Sequence, residues 1–257
     1  HCEPGNHLIY DLRMTRNRAR KPPARSKAGR SDGRSTWLSV LYEDTAIVLL
    51  NKPAGLPSVP VEGMRTPSAL SLLSGKLAPK KQRAFVVHRI DRFTSGIILF
   101  AKSEADQKQL VEQFLKHTPE REYQAIVRGV LSKQTDKLVH YLRRQGARQT
   151  VSSKSDRGAA RAVLRYVVEK RLKNATLVRV ALETGLQNQI RVQFARIGHP
   201  VIGDRKYSPR ESGEKGIARV ALHAAHLSFK HPRTGKQISF DCPPPEDFDQ
   251  LLGKLSL

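Results

Sequence analysis

The chain has 257 residues, with 46 lysines and arginines against 23 acidic residues, for a formal net charge of +23. Hydrophobic residues make up 39% of it, enough to bury a core in one large domain or two small ones. No apolar run approaches the roughly 20 residues that a membrane-spanning helix needs. A balance so basic attracts a polyanion, and nucleic acid is the foremost candidate. An anionic membrane surface is the alternative, but there is no basic amphipathic helix to lie on one. Two cysteines, Cys2 and Cys242, make neither a disulfide framework nor a metal site and suit a reducing compartment.

The chain opens with no secretory apolar stretch. From Asp11 to Thr36 it is basic, polar and of low complexity, carrying two prolines, so residues 1–36 read as a tail that is disordered in isolation. Such a tail either stays solvated or grips RNA phosphates without sequence choice. It is too short and polar to form a separate RNA-binding domain. Order is expected over 37–257. Ala46 to Leu50 reads as a buried strand, broken by Asn51-Lys52-Pro53-Ala54-Gly55-Leu56, and Pro67 to Leu77 as a short helix.

Phe85 to Val87 and Ile97 to Phe100 are apolar runs too short for helices and read as strands. The loop between them holds one carboxylate, Asp91, flanked by Arg89 and Arg92, and turns back through Thr94, Ser95 and Gly96. By spacing alone Asp91 is a loop acid neutralised by its arginines. Ser103 caps a helix with Leu110, Val111, Phe114 and Leu115 on one face. Glu122 to Gly129 alternates as a half-buried strand in which Tyr123 is a core tyrosine. Residues 132–161 are basic and polar, expected as hairpins or loops that either face RNA or form ordinary solvated surface. Val163 to Val168 and Ala175 to Leu182 are strands. Asn188 is the expected cap of a helix that buries Ile190, Phe194 and Ile197 and ends at Gly198. Ala221 to Phe229 and Ile238 to Phe240 form a hairpin turning at Thr234-Gly235.

Several of these segments together resemble the RluA-type RNA pseudouridine synthases. His88-Arg89-Ile90-Asp91, followed by Thr94-Ser95-Gly96 and an apolar strand, is similar to that family's H-R-[LI]-D-x-x-T-S-G signature. Asn51 to Leu56 resembles its N-K-P-A-G-L segment, and Arg121 with Tyr123 to Gly129 its K/R-x-Y-x-A-x-V-x-G strand. Thr184 to Gln193 resembles T-G-R-x-H-Q-I-R-V-H, and Gly198 to Tyr207 resembles G-H-P-[IL]-[VL]-G-D-x-x-Y. The likeness runs from about Leu41 to Phe248. It departs from the pattern at Leu186, where the family has arginine, and at Asn188, where it has histidine.

The resemblance implies an α+β fold: a mixed, mostly antiparallel sheet with peripheral helices and a central catalytic cleft. It implies isomerisation of uridine to pseudouridine in rRNA, tRNA or both, by a cytoplasmic monomer that uses no metal, nucleotide or other cofactor. Asp91 would be the catalytic residue, Arg191 its partner, and Tyr123 the surface against the target base. Arg89 would enter the gap left by the flipped base or hold its backbone. His88, Arg92, Thr94, Asn51, Lys52 and Ile190, in the matched motifs, are expected to help bind the RNA. The departures at Leu186 and Asn188 motivate one alternative, an inactive RNA-binding protein that keeps the fold. His199 and His223 read as structural.

Overall fold

A computed structural model of the chain describes residues 38–208 and 216–256. The basic tail expected over 1–36 lies outside the described residues. Among them, eleven strands form one sheet. They are β1 (Ser39–Glu43), β2 (Ile47–Lys52), β3 (Phe85–Val86), β4 (Ser95–Ala101), β5 (Glu120–Arg128), β6 (Thr135–Gln145), β7 (Arg148–Ser152), β8 (Ala160–Arg171), β9 (Ala175–Leu182), β10 (Leu222–Lys230) and β11 (Gln237–Asp241). The spatial order is β1-β2-β4-β10-β5-β9-β8-β6-β7, with β3 beside β4 and β11 beside β10. Only the β4–β10 pair is parallel; the others are antiparallel. Four α-helices lie among the described residues: α1 (Ala69–Leu77), α2 (Glu104–Leu115), α3 (Gln189–Arg196) and α4 (Glu246–Ser256). This is the α+β class that the motif series implies.

β4 is buried at every position, which is why it reads in sequence as a continuous apolar run rather than an alternation. Two apolar clusters hold helices to the sheet. In one, Leu73 and Leu77 of α1 meet Val48, Leu50, Ile98 and Phe100 of β2 and β4. In the other, Ile190 and Phe194 of α3 and Phe248 and Leu251 of α4 join Ile126, Val127, Val178 and Val180 of β5 and β9. Ser68 caps α1 and shares a reciprocal bond with Ser71, so this helix starts two residues after the expected Pro67. Ser103 caps α2 as its sequence suggests, accepting the N–H of Asp106.

Two features differ from the sequence reading, at Asn188 and at α4, and one is met. Asn188 stands at the N-cap position of α3, but its φ is +54° and its side chain makes no cap bond. Gln189, the first residue of the helix, ties the preceding loop to it, its Oε1 accepting from Leu186 N at 3.0 Å and Thr184 Oγ1 at 2.8 Å. Residues 132–161 hold the hairpin expected there, β6 and β7 closing on a two-residue turn with Gly146 at φ +58° in its first position. α4 was not expected at all, although Phe248, Leu251, Leu252 and Leu255 recur at helical spacing.

Gly96 sits where β4 meets β10, at φ +108°, and a Cβ there would run into the carbonyl oxygen of Ala224. Both the backbone angle and the close approach require glycine. Gly96→Ala is expected to destabilise the fold by about 3 kcal/mol, read as a lowered midpoint in urea unfolding.

Candidate active site

The loop that carries Asp91 is held from behind by the segment that follows β2. Ser58 Oγ donates to Ile90 O at 2.7 Å and accepts from Ile90 N at 3.2 Å. Gly55 N donates to Arg92 O at 2.8 Å, and Arg92 Nε returns a bond to Gly55 O, also at 2.8 Å. The residues on both sides of Asp91 are thus tied to one turn. Thr94, itself buried, closes the loop by donating its N–H to Asp91 O at 3.1 Å.

Lys52 anchors that turn. Its side chain is fully buried, and Nζ donates to Pro53 O at 2.9 Å, Leu56 O at 2.8 Å and Arg92 O at 3.2 Å. Burial pulls its ammonium down to about 7, the negative charge of Asp91 opposing the fall and Arg219 adding to it. Three carbonyls match the three N–H bonds of an ammonium, so this lysine is spent on the protein and has none left for RNA. His88 is turned inward too. Its Nε2 accepts from Leu99 N at 3.1 Å, its ring stacks on Phe114, and burial followed by the charge of Arg121 lowers it to about 3, so it is neutral. The expectation that His88 and Lys52 touch RNA is corrected: burial makes both of them supports of the Asp91 loop.

From the other side comes α3. Gln193 Nε2 donates to Leu138 O and Ala162 O, each at 3.2 Å, fixing the helix to β6 and β8. Arg191 lies on this helix and is 7% exposed. Its Nε and Nη2 donate to the two oxygens of Asp204, at 2.7 and 2.8 Å. Its Nη1 donates to Asp91 Oδ2 at 3.1 Å and to Asn188 Oδ1 at 2.8 Å. Burial weakens the guanidinium's hold on its proton, but the bonds and charges of Asp204 and Asp91 outweigh it and raise the Arg191 pKa. Asp204 is in turn locked, accepting Lys206 N at 2.9 Å and Tyr207 N at 3.1 Å on Oδ1. Tyr207 lies beside the guanidinium, 5.2 Å from ring centre to Arg191 Cζ. Its hydroxyl accepts from Asn188 Nδ2 and from Gln149 N, both at 3.2 Å.

Asp91 and Arg191, 100 residues apart, are therefore in direct contact, with Asp91's side chain 24% exposed and Arg191's 9%. Arg89 is exposed, two residues before Asp91. Arg92 is half-buried, its guanidinium turned to Gly55 O and the Phe93 ring. Tyr123 is half-buried between Val180 and Ala224 and packs against the cluster that contains Ile190. Ile190, 4% exposed, belongs to that core, and Asn51 pairs with Ile97 between β2 and β4. Burial leaves no surface of Ile190 for a large ligand. Asp204 and Tyr207 escaped the sequence reading as site residues, although both stand in the G-H-P-V-I-G-D-x-x-Y segment; no local pattern says that two stretches 13 residues apart share one arginine.

The depressed Lys52 pKa carries a sign that can be measured. Unfolded lysine keeps its proton to about 10.4, whereas in the fold it is lost above about 7. Between these values the unfolded chain binds more protons, so this group makes stability rise with pH from about 7 upward and adds no slope below that, where both states are protonated. Lys52→Met should remove that slope from denaturant midpoints taken between pH 6 and 9. It should also cost about 2 kcal/mol for the carbonyls left without a donor.

The arrangement places one carboxylate, part exposed and charge-paired, at the surface of an otherwise locked network. The model of the RNA pseudouridylate synthases matches residues 46–196. A ribosomal large subunit pseudouridine synthase D of Zymomonas mobilis is 37% identical over 230 residues, 85% of this chain and 72% of that protein. An uncharacterised RNA pseudouridine synthase of Bacillus subtilis is 35% identical over 223 residues, 85% of this chain and 73% of its own length. Among solved structures, the human RNA pseudouridylate synthase domain containing 4 has the same fold, with a TM-score of 0.69 at 22% identity over 84% of this chain and 92% of that one. The chain belongs to the RNA pseudouridine synthase family and is an isomerase of uridine in RNA.

Proposed function

We propose that this enzyme modifies ribosomal RNA and that Asp91 is its catalytic carboxylate, paired with Arg191. The contact between Asp91 and Arg191 at 3.1 Å is the observation that carries the reading. The relatives named for the large ribosomal subunit favour rRNA over tRNA. The site asks for a uridine turned out of its stack, which costs a few kcal/mol, less where the base is already unpaired. Arg89, exposed beside the loop, suits a grip on the displaced backbone.

Breaking the N1–C1′ bond leaves C1′ short of electrons. The Asp91 carboxylate meets that deficiency, and Arg191, bonded to it at 3.1 Å, aims it. Tyr123 offers a flat face against which the freed uracil turns. C5 then bonds to C1′, the C5 proton departs and N1 takes one up, so the product has the composition of the substrate. Asp91, Arg191, Asp204 and Tyr207 come from one chain, which supports action as a monomer, in the cytoplasm where its RNA is.

Asn188 favours an active enzyme over the inactive alternative. Its amide accepts from Arg191 and donates to Tyr207, so the residue that stands where the family has histidine is linked on both sides. Leu186 is buried and brings no charge to the site. The test is pseudouridine formation in unmodified rRNA and tRNA by the parent and by Asp91→Asn, which keeps the shape and removes the charge. The variant should turn over below about one-thousandth of the parent rate while binding RNA within a few fold. Normal turnover would remove Asp91 from the chemistry, and product in tRNA alone would overturn the choice of rRNA.

A further inference from the structure

Asp91 is the first residue of a β-turn. Thr94 N donates to Asp91 O at 3.1 Å, which puts Arg92 and Phe93 at the two corners. These are the two positions that the H-R-[LI]-D-x-x-T-S-G pattern leaves open. Turn corners favour small or polar residues, yet the second corner here is an aromatic ring, 44% exposed. Ile90 and Thr94, on either side of the turn, are buried. Phe93 belongs to neither of the apolar clusters that seat the helices. Tyr42, another exposed aromatic residue, packs on Phe240 and donates to Asp44. Phe93 meets Arg92, whose Cζ lies over the ring at 5.2 Å from its centre. That guanidinium is itself held by the bond from Nε to Gly55 O, and the backbone of the first corner by Gly55 N on Arg92 O. The ring therefore stands on a fastened turn with a cation against it, within about 7 Å of Asp91 from Cα to Cα.

We propose that Phe93 is a stacking platform for the base next to the target uridine, and that this contact helps choose which uridine is modified. It deepens the function proposed above and rests on it. A ring left in water on a rigid turn gains by meeting an apolar surface. Two residues from the Asp91 carboxylate, in an enzyme that acts on RNA, the partner of matching chemistry is a nucleobase. When the target uridine leaves its stack, each neighbouring base loses a stacked face. Phe93 replaces one of those faces, beside the reacting bond and not at it. Arg92, on the ring, adds the attraction of a guanidinium for a π system. Every base has such a face, but a purine covers more of the ring than a pyrimidine, so the platform favours targets with a purine on that side.

The uridine converted in unmodified rRNA is mapped first. A short transcript around it is then made with its natural neighbours, or with an abasic nucleotide on the 5′ or the 3′ side. Initial rates are measured on each with the parent, Phe93→Ala, Phe93→Leu and Phe93→Trp. On the natural RNA, Phe93→Ala and Phe93→Leu should raise KM about tenfold with kcat within about twofold, and Phe93→Trp should match the parent. At one of the two flanks, the abasic RNA should raise the parent's KM about as much, and Phe93→Ala should add less than about twofold to that loss. An unchanged KM in Phe93→Ala would overturn the platform. So would a Phe93→Leu variant as good as the parent, which would reduce the contact to apolar packing. Losses that multiply at both flanks would overturn it too, because the ring would then touch neither base. Failure of the enzyme reading shows differently, as no product from the parent on any RNA, and would remove the platform with it.

Discussion

Arg191 divides its N–H bonds between two carboxylates, and the division gives them different work. Asp204 takes Nε and Nη2 side by side, the geometry in which a guanidinium and a carboxylate bind most firmly. Asp204 is wholly buried at its side chain and held by two further backbone N–H groups. What remains is Nη1, fixed in direction, and it meets Asp91. A buried ion pair deprived of one partner costs about 3–5 kcal/mol, so α3, the Asp204 turn and the Asp91 loop must assemble together. One carboxylate fixes the arginine and the other uses it.

The rest of the fold supplies rigidity to that contact from two directions. Behind Asp91, the turn after β2 grips the flanking peptide groups through Ser58, Gly55 and Lys52, while His88 fastens the preceding residues to β4. Behind Arg191, Gln193 and the apolar residues Ile190 and Phe194 seat α3 on the sheet. The parallel pairing of β4 with β10, close at Gly96, brings the Asp91 loop to the middle of the sheet, next to β5 and its Tyr123. A carboxylate on a loop thus gains the precision of one on a strand.

Much of this was legible in the residues. The apolar runs of β2 and β4, the caps at Ser103 and the turn at Thr234-Gly235 follow from local chemistry, and the motif series named both Asp91 and Arg191. Local chemistry fails where a tertiary partner competes for a polar group. Asn188 looks like a helix cap and stands at the cap position, but its amide is drawn to Arg191 and Tyr207 and makes no cap bond. Lys52 and His88 look like RNA contacts because they are polar and lie in shared motifs; three carbonyls and one strand N–H claim them. Asp204 was visible as a motif residue, but its hold on Arg191 is written only in the folded chain. α4 has an amphipathic pattern, but it follows directly on the helix-breaking Pro243-Pro244-Pro245 stretch.

The account stands on the claim that Arg191 acts by geometry and not by charge alone. Arg191→Lys keeps the positive charge but cannot bridge Asp204 on one side and Asp91 on the other. Pseudouridine formation by that variant, measured at saturating RNA beside the parent, should fall at least about 100-fold with RNA affinity within about threefold. A rate close to the parent's would contradict the account, because a point charge near Asp91 would then suffice.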